Sequence, residues 1–300
     1  MREAAGVRPE HLRGDTPAGD RHLVLLHGRG AVDLRTARRE WMEDLSHGAR
    51  SAGLVPPEVG AAWLPSYGDA LARAVDASDR SVVTAQDPEI VAAERAIVEA
   101  LARSPGSGAP PRDLRDEITD RVRDVLEWVA DNSPLDEALL ALAFRDVALY
   151  LSDEGAREAV QRAILDGLPP HGETVLVAHS LGSVAAVELL CDRRVPQVSE
   201  LITCGSPLGL DAVQRRIGPA VQELDRVRWT NVWSADDPVT VGSPLRDDWG
   251  HGVVDVEIHG ERDDPHAFGT YLGNELVATI VVTAVRRDSR TSVGHEPTGR

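Results

Sequence analysis

The stretch Glu173-Thr-Val-Leu-Val-Ala-His-Ser-Leu-Gly-Ser-Val184 decides how the rest of the chain reads. Thr174 to Ala178 contains β-formers and small apolar residues and no charge. Such a run suits a short strand buried on both faces of a parallel sheet. His179-Ser180-Leu181-Gly182 follows at once, and Ser183 to Leu190 reads as a helix. A strand, a sharp turn and a helix therefore meet at Ser180. A serine whose hydroxyl projects above a sheet edge sits on a strained turn of this kind. The residues two before and two after it must be small, because strand and helix almost touch there. Ala178 and Gly182 meet that requirement and give the pattern A-x-S-x-G.

Other apolar runs fall into place around this one. Leu23 to Leu26 is a second buried strand, and it ends in His27-Gly28-Arg29-Gly30. Glycines there let the backbone approach a bound oxygen closely and aim an N–H at it. Glu200-Leu-Ile-Thr-Cys-Gly-Ser-Pro-Leu-Gly209 is a strand ending in a Gly-Ser-Pro turn. Trp229 to Trp233 alternates as a strand and runs into Asp236-Asp237-Pro238-Val239. Val253 to Ile258 is the last strand, and the loop after it carries His259 and His266 before turning into a helix.

The A-H-S-L-G turn, the His27-Gly28-Arg29-Gly30 loop, Asp237-Pro238-Val239 and the surroundings of His266 resemble the lipase and esterase branch of the α/β-hydrolase superfamily. The match spans His22 to Tyr67 and Thr174 to Val285. It implies an α/β fold with a mostly parallel central sheet, helices on both faces and a helical cap insertion. It also implies a nucleophile elbow at Ser180 and the chain order serine, acid, histidine. By the family's pattern Asp237 is the acid, with Asp236 as its neighbour and alternative. His266 is the base; His259 and His251 flank the same strand and match less well. The oxyanion donors carried over are the backbone amides of Arg29 and Leu181, with His27 propping the loop. Each residue type has its reason. A serine hydroxyl becomes a good nucleophile only when a base takes its proton. An imidazole can do so near neutral pH, and a carboxylate fixes its tautomer.

The activity implied is that of a serine hydrolase, cleaving a carboxylic ester or thioester through an acyl-enzyme, with no cofactor and no metal. Two alternatives stay open. The same residues could pass the acyl group to another acceptor, as acyltransferases and cyclising thioesterases do. Or the chain could be a hydrolase-like module that binds a ligand or partner without catalysis.

The domain reading follows. Residues 1–20 are expected as a flexible N-terminal arm, 21–285 as the hydrolase domain and 286–300 as a flexible tail. Within the domain, Asp33 to Gly53 reads as a helix capped by Asp33, and Val59 to Leu64 as a strand. Tyr67 follows that strand, where it would line the site or pack beneath it. Residues 71–168 are expected as a largely helical insertion. It has helical patterns at 90–101, 114–129 and 135–151, a Gly/Pro/Ser loop at 104–111, and a helix from Glu154 to Leu168 feeding the elbow strand. An apolar cap of this kind would suit a lipid-like ester and could also dock a protein partner.

The 300 residues are 42 % apolar, ample for one large core, and carry a net charge of −17. That charge argues against nucleic acid and anionic membrane as partners. Every basic residue other than histidine is arginine. Cys191 and Cys204 stand in no metal-ligand spacing and read as buried thiols. No stretch reads as a signal peptide or a membrane span, so the expectation is a soluble cytoplasmic protein.

Overall fold

Six runs form strands that all pair in parallel: β1 (His22–Leu26), β2 (Ala62–Trp63), β3 (Thr174–His179), β4 (Val198–Cys204), β5 (Arg228–Trp233) and β6 (Val253–Glu257). They make one open sheet in the order β2-β1-β3-β4-β5-β6. The computed structural model describes residues 11–18, 20–28, 32–73, 146–217, 224–240, 244–250, 252–259 and 264–286. Its helices are α1 (Leu34–Ser51), α2 (Glu154–Gly167), α3 (Leu181–Cys191), α4 (Asp211–Ile217), α5 (Arg246–Trp249), α6 (Phe268–Gly273) and α7 (Glu275–Arg286). Residues 68–73 and 146–152 are also helical.

Parallel strands need long crossovers, and here these are helices on both faces. Side chains alternate across the sheet accordingly. Leu23 and Leu25 of β1, with Val175 and Val177 of β3, join a core with α1, α6 and α7. Val24, Leu26, Leu176 and Ala178 point the other way, into a core with residues 147–150, α2, α3 and α4. α3 is buried along its whole length, which explains why its sequence has no polar stripe.

Helix starts follow their capping residues. Asp33 accepts the Arg35 amide at 3.2 Å and the Thr36 hydroxyl at 2.7 Å. Asp153 accepts the Ala156 amide at 2.8 Å at the head of α2, one residue before the start expected at Glu154. Each satisfies an amide that has no intrahelical acceptor.

Two expectations need correction. The strand expected over Val59 to Leu64 is paired to β1 only at Ala62 and Trp63, after a 3₁₀ turn at Val59–Ala61. Leu64 turns instead to Leu12, with antiparallel bonds of 3.1 and 2.8 Å. For the same reason the N-terminal arm is not free as far as Asp20. Leu12 is buried, the Asp15 amide bonds the Gly60 carbonyl at 2.9 Å, and a Cβ on Gly14 would lie 2.2 Å from the Ala61 oxygen. Residues 12–15 are thus held against the β2 edge and the turn before it. Within the expected insertion, the patterns at 90–101 and 114–129, the loop at 104–111 and residues 135–145 lie outside the described residues. So do residues 1–10 and 287–300.

Candidate active site

The strand order has its switch point between β1 and β3, because the chain leaves β1 toward β2 and returns on β1's other side. In open α/β sheets the crevice at the carboxyl ends of such strands is where ligands bind. Ser180 stands there, at the end of β3, with φ 52° and ψ −129°. Positive φ is rare for a residue with a side chain, and holding it costs on the order of 1–3 kcal/mol. The surroundings hold it. The Ser180 amide donates to the Cys204 carbonyl at 3.2 Å, and the Ser183 hydroxyl donates to the Ser180 carbonyl. That leaves Ser206 to donate to Ser183 Oγ, at 2.6 Å, while Ser206 accepts the Leu208 amide at 3.3 Å. The Gly-Ser-Pro turn after β4 thus braces the turn after β3.

The two glycines near Ser180 are required by close approach. A Cβ on Gly182 would fall 2.5 Å from the His27 carbonyl oxygen, so α3 runs against the end of β1. A Cβ on Gly28 would fall 2.6 Å from the Ser180 Cβ and 3.2 Å from its Oγ. Gly28 therefore lies directly against the serine.

His266 Nε2 is 3.1 Å from Ser180 Oγ, and His266 Nδ1 is 2.9 Å from Asp237 Oδ2. Asp237 is 3 % exposed, and an ionised carboxylate only accepts. Nδ1 therefore carries the proton and donates to Asp237, which leaves Nε2 as the acceptor for the serine hydroxyl. The carboxylate is fixed further by the Val239 amide on Oδ1 at 2.9 Å and the Tyr271 hydroxyl on Oδ2 at 2.6 Å. The turn carrying His266 is shaped by Asp264, whose Oδ1 accepts the His266 amide at 3.0 Å. An arrangement of this kind can take a proton from the serine while oxygen attacks a carbonyl carbon, and return it to a leaving group.

His179, just before the serine, is buried and its Nε2 donates to the His266 carbonyl at 2.7 Å. Its ring stacks on Phe268 at 4.9 Å and lies 4.6 Å from the His266 ring. Burial, and then the neighbouring His266, push its proton affinity well below that of an ordinary histidine, so it stays neutral. His27 is buried and stacks on Tyr67 at 4.6 Å. The Tyr67 hydroxyl donates to the carbonyls of His27 and of Gly28, the latter at 2.8 Å. Of the two roles expected for Tyr67, packing beneath the site is the one seen: it ties down His27 and Gly28.

The structure brings Ser180, Asp237 and His266 together. Asp236 is exposed and its amide bonds Ser234 Oγ. His259 is exposed, and His251 and Arg29 lie outside the described residues. Leu181 opens α3, where the first amides have no intrahelical acceptor and can serve an anion. Sequence reasoning missed Tyr271, His179, Ser183 and Ser206. Only Ser206 had a signal, the Gly-Ser-Pro turn itself. Cys191 and Cys204 are buried and unbridged, and burial pushes the Cys204 thiol well up from its usual range. Among the described residues no cluster of histidines, cysteines and carboxylates could hold a metal, and no helix is long and apolar enough to cross a membrane.

Compared with protein-family models, curated proteins and solved structures, the chain matches none significantly.

Proposed function

We propose that this chain is a serine hydrolase of the α/β-hydrolase superfamily, cleaving carboxylic esters or thioesters through an acyl-enzyme. The observation that carries the proposal is the continuous hydrogen-bonded path from Ser180 through His266 to buried Asp237, set on a strained turn at the sheet's switch point. The order serine, acid, histidine along the chain supports the same reading.

In this reaction Ser180 Oγ attacks the acyl carbon as His266 Nε2 takes its proton. The tetrahedral oxyanion is held by the Leu181 amide and by the amide of Arg29, each donor worth about 3–4 kcal/mol in the transition state. His266 then protonates the departing alcohol or thiol, the acyl-enzyme forms, and water repeats the sequence to free the acid. Asp237 holds the imidazole in the productive tautomer and stabilises its charged form. By the family resemblance, the part of the expected insertion that precedes residue 146 is assigned the cap that selects the acyl chain, residues 147–150 and α2 being packed on the sheet. A lipid-like ester is the substrate class expected, and the reaction takes place in the cytoplasm.

Labelling with a fluorophosphonate, read by intact mass and peptide mapping, tests this. One adduct on Ser180, lost in Ser180→Ala and strongly slowed in His266→Ala, is the expected result. It leads to a chain-length panel of esters and thioesters, with added alcohols and amines to detect acyl transfer. A folded protein that takes no label, with no turnover on that panel, would overturn the proposal in favour of a binding module.

A further inference from the structure

The Tyr271 hydroxyl takes no part in the proton path from Ser180 to His266, yet it is aimed at the end of that path. It donates to Asp237 Oδ2 at 2.6 Å, and the same oxygen accepts His266 Nδ1–H at 2.9 Å. Tyr271 is fully buried on α6, the helix that follows the His266 turn. A buried phenol with a bonded hydroxyl is a fixed donor, since its ring leaves few rotamers. Gly205, with φ +54°, makes room for the arrangement. A Cβ there would come 2.9 Å from Asp237 Oδ2, 3.0 Å from the Tyr271 ring and 3.1 Å from His179 Nε2.

We propose that Tyr271 is a positioning residue for the hydrolysis: it locks the Asp237 carboxylate in line with His266 and draws off part of its charge, moderating its pull on the imidazole. The inference rests on the hydrolase reading above. Two donors on one oxygen share its electron density, so each bond is weaker than it would be alone. The carboxylate's hold on the imidazolium is thereby set by the tyrosine as well as by the aspartate. The other ionisable groups around the pair leave this role to Tyr271. His179, at the end of β3, is kept neutral by burial and by His266. Cys204, at the end of β4, is kept a thiol by burial. Tyr271 itself is kept protonated by burial and then by Asp237. On the loops, Asp264 is occupied by the His266 amide and Asp236 is exposed. Among the described residues no arginine pairs with Asp237; its ion-pair partner is His266.

The test is Tyr271→Phe, which keeps the ring and removes the donor. Tyr150→Phe is its control, because Tyr150 also gives its hydroxyl to a buried carboxylate, Glu188, at 2.7 Å and away from the serine. Two readouts are taken on the full chain: the pH profile of fluorophosphonate labelling at Ser180, and the low-field proton resonance of His266 Nδ1–H. In Tyr271→Phe the plateau labelling rate is expected to fall about tenfold, as for loss of one charge-assisted bond. The acid limb is expected to move to higher pH by roughly half a unit, because an unshared carboxylate holds the imidazolium more tightly. The Nδ1–H resonance moves downfield. Tyr150→Phe changes none of these, although it melts earlier. The inference is overturned if Tyr271→Phe labels at the wild-type rate with an unmoved limb. It is overturned equally if the rate falls only as the melting temperature falls, with limb and resonance unchanged. A folded wild type that takes no label and turns over no ester or thioester sinks the hydrolase reading instead, and the resonance then decides by itself whether the tyrosine governs the Asp237–His266 bond.

Discussion

Glu188 and Asp237, both buried, each accept a tyrosine hydroxyl, and they differ in what stands on their other side. Glu188 of α3 accepts the Tyr150 hydroxyl at 2.7 Å and the Gln161 amide at 3.0 Å, while Arg157 and Arg216 approach its second oxygen at 3.7 and 3.3 Å. Asp237 accepts the Tyr271 hydroxyl at 2.6 Å, and a histidine takes the place of the arginines. An arginine is charged at every working pH, whereas an imidazole is charged only once it has taken a proton. The charge on Glu188 is therefore compensated at all times. That suits a group joining residues 146–152, α2, α3 and α4, and it serves packing. The charge on Asp237 is compensated fully only when His266 has become an imidazolium. In the proposed reaction that is the moment the proton leaves Ser180. Burial of an acid beside a tyrosine is thus common to both places, and the partner on the other side distinguishes them: arginines at Glu188, an imidazole at Asp237.

The sharpest way to break the comparison is to neutralise each acid in turn. Asp237→Asn should lower fluorophosphonate reactivity by roughly 10⁴-fold, as expected when an imidazole is left in the wrong tautomer, with the fold retained. Equal loss in a variant that has also lost its folded circular dichroism would mean that Asp237 is structural after all. Glu188→Gln should do the reverse. Labelling of Ser180 stays near wild type, while stability falls by about 2 kcal/mol, because the buried Tyr150 and Gln161 donors lose a charged acceptor and part-buried Arg157 keeps only exposed Glu154, at 3.9 Å, as a counter-charge. Urea denaturation followed by tryptophan fluorescence measures that loss, and a reactivity loss of the same order as for Asp237→Asn would erase the distinction drawn here.

His179 offers a smaller and graded effect. Its proton affinity is depressed in the folded protein by burial and by His266. The unfolded chain binds a proton near pH 6.5 that the folded chain refuses. Stability is therefore complete above that pH and is lost as pH falls below it. His11, depressed chiefly by burial, acts in the same direction, and its Nδ1 accepts the Ser66 amide at 3.0 Å. Melting temperatures between pH 7.5 and 5 should decline in the wild type and decline less in His179→Gln, whose amide can still donate to the His266 carbonyl. An identical slope in the two proteins would remove His179 as a contributor.

How far the site was legible depended on whether the chemistry was local. Ser180 could be read because its constraint lies within five residues: a β-run before it, a helix after it and small residues on each side. The choice of His266 over His259 and of Asp237 over Asp236 came from family resemblance, and the structure places Asp237 beside His266. Asp237 is buried against the imidazole, whereas Asp236 and His259 are exposed. Tyr271 was not legible, because a tyrosine within an apolar helix reads as packing until the helix is laid against Asp237. His179 looked like part of the motif without a role, since its partner, the His266 carbonyl, is far away in sequence. The shortness of β2 was hidden as well. Val59 to Leu64 is a good strand by composition, but its pairing with β1 is confined to Ala62 and Trp63 by the 3₁₀ turn at Val59–Ala61 before it and by Pro65 after it, which has no N–H to give.

By itself the sequence determined the parallel α/β character, the turn at Ser180 and the order serine, acid, histidine, because these depend on residue type and short-range spacing. Only the tertiary structure decided which aspartate meets the imidazole, that Ser206 braces the elbow through Ser183, and that a tyrosine shares the Asp237 oxygen. Those are contacts between the carboxyl ends of different strands. Their distances are set by how the sheet twists and how the helices pack upon it, and neither is written in any one segment of the chain.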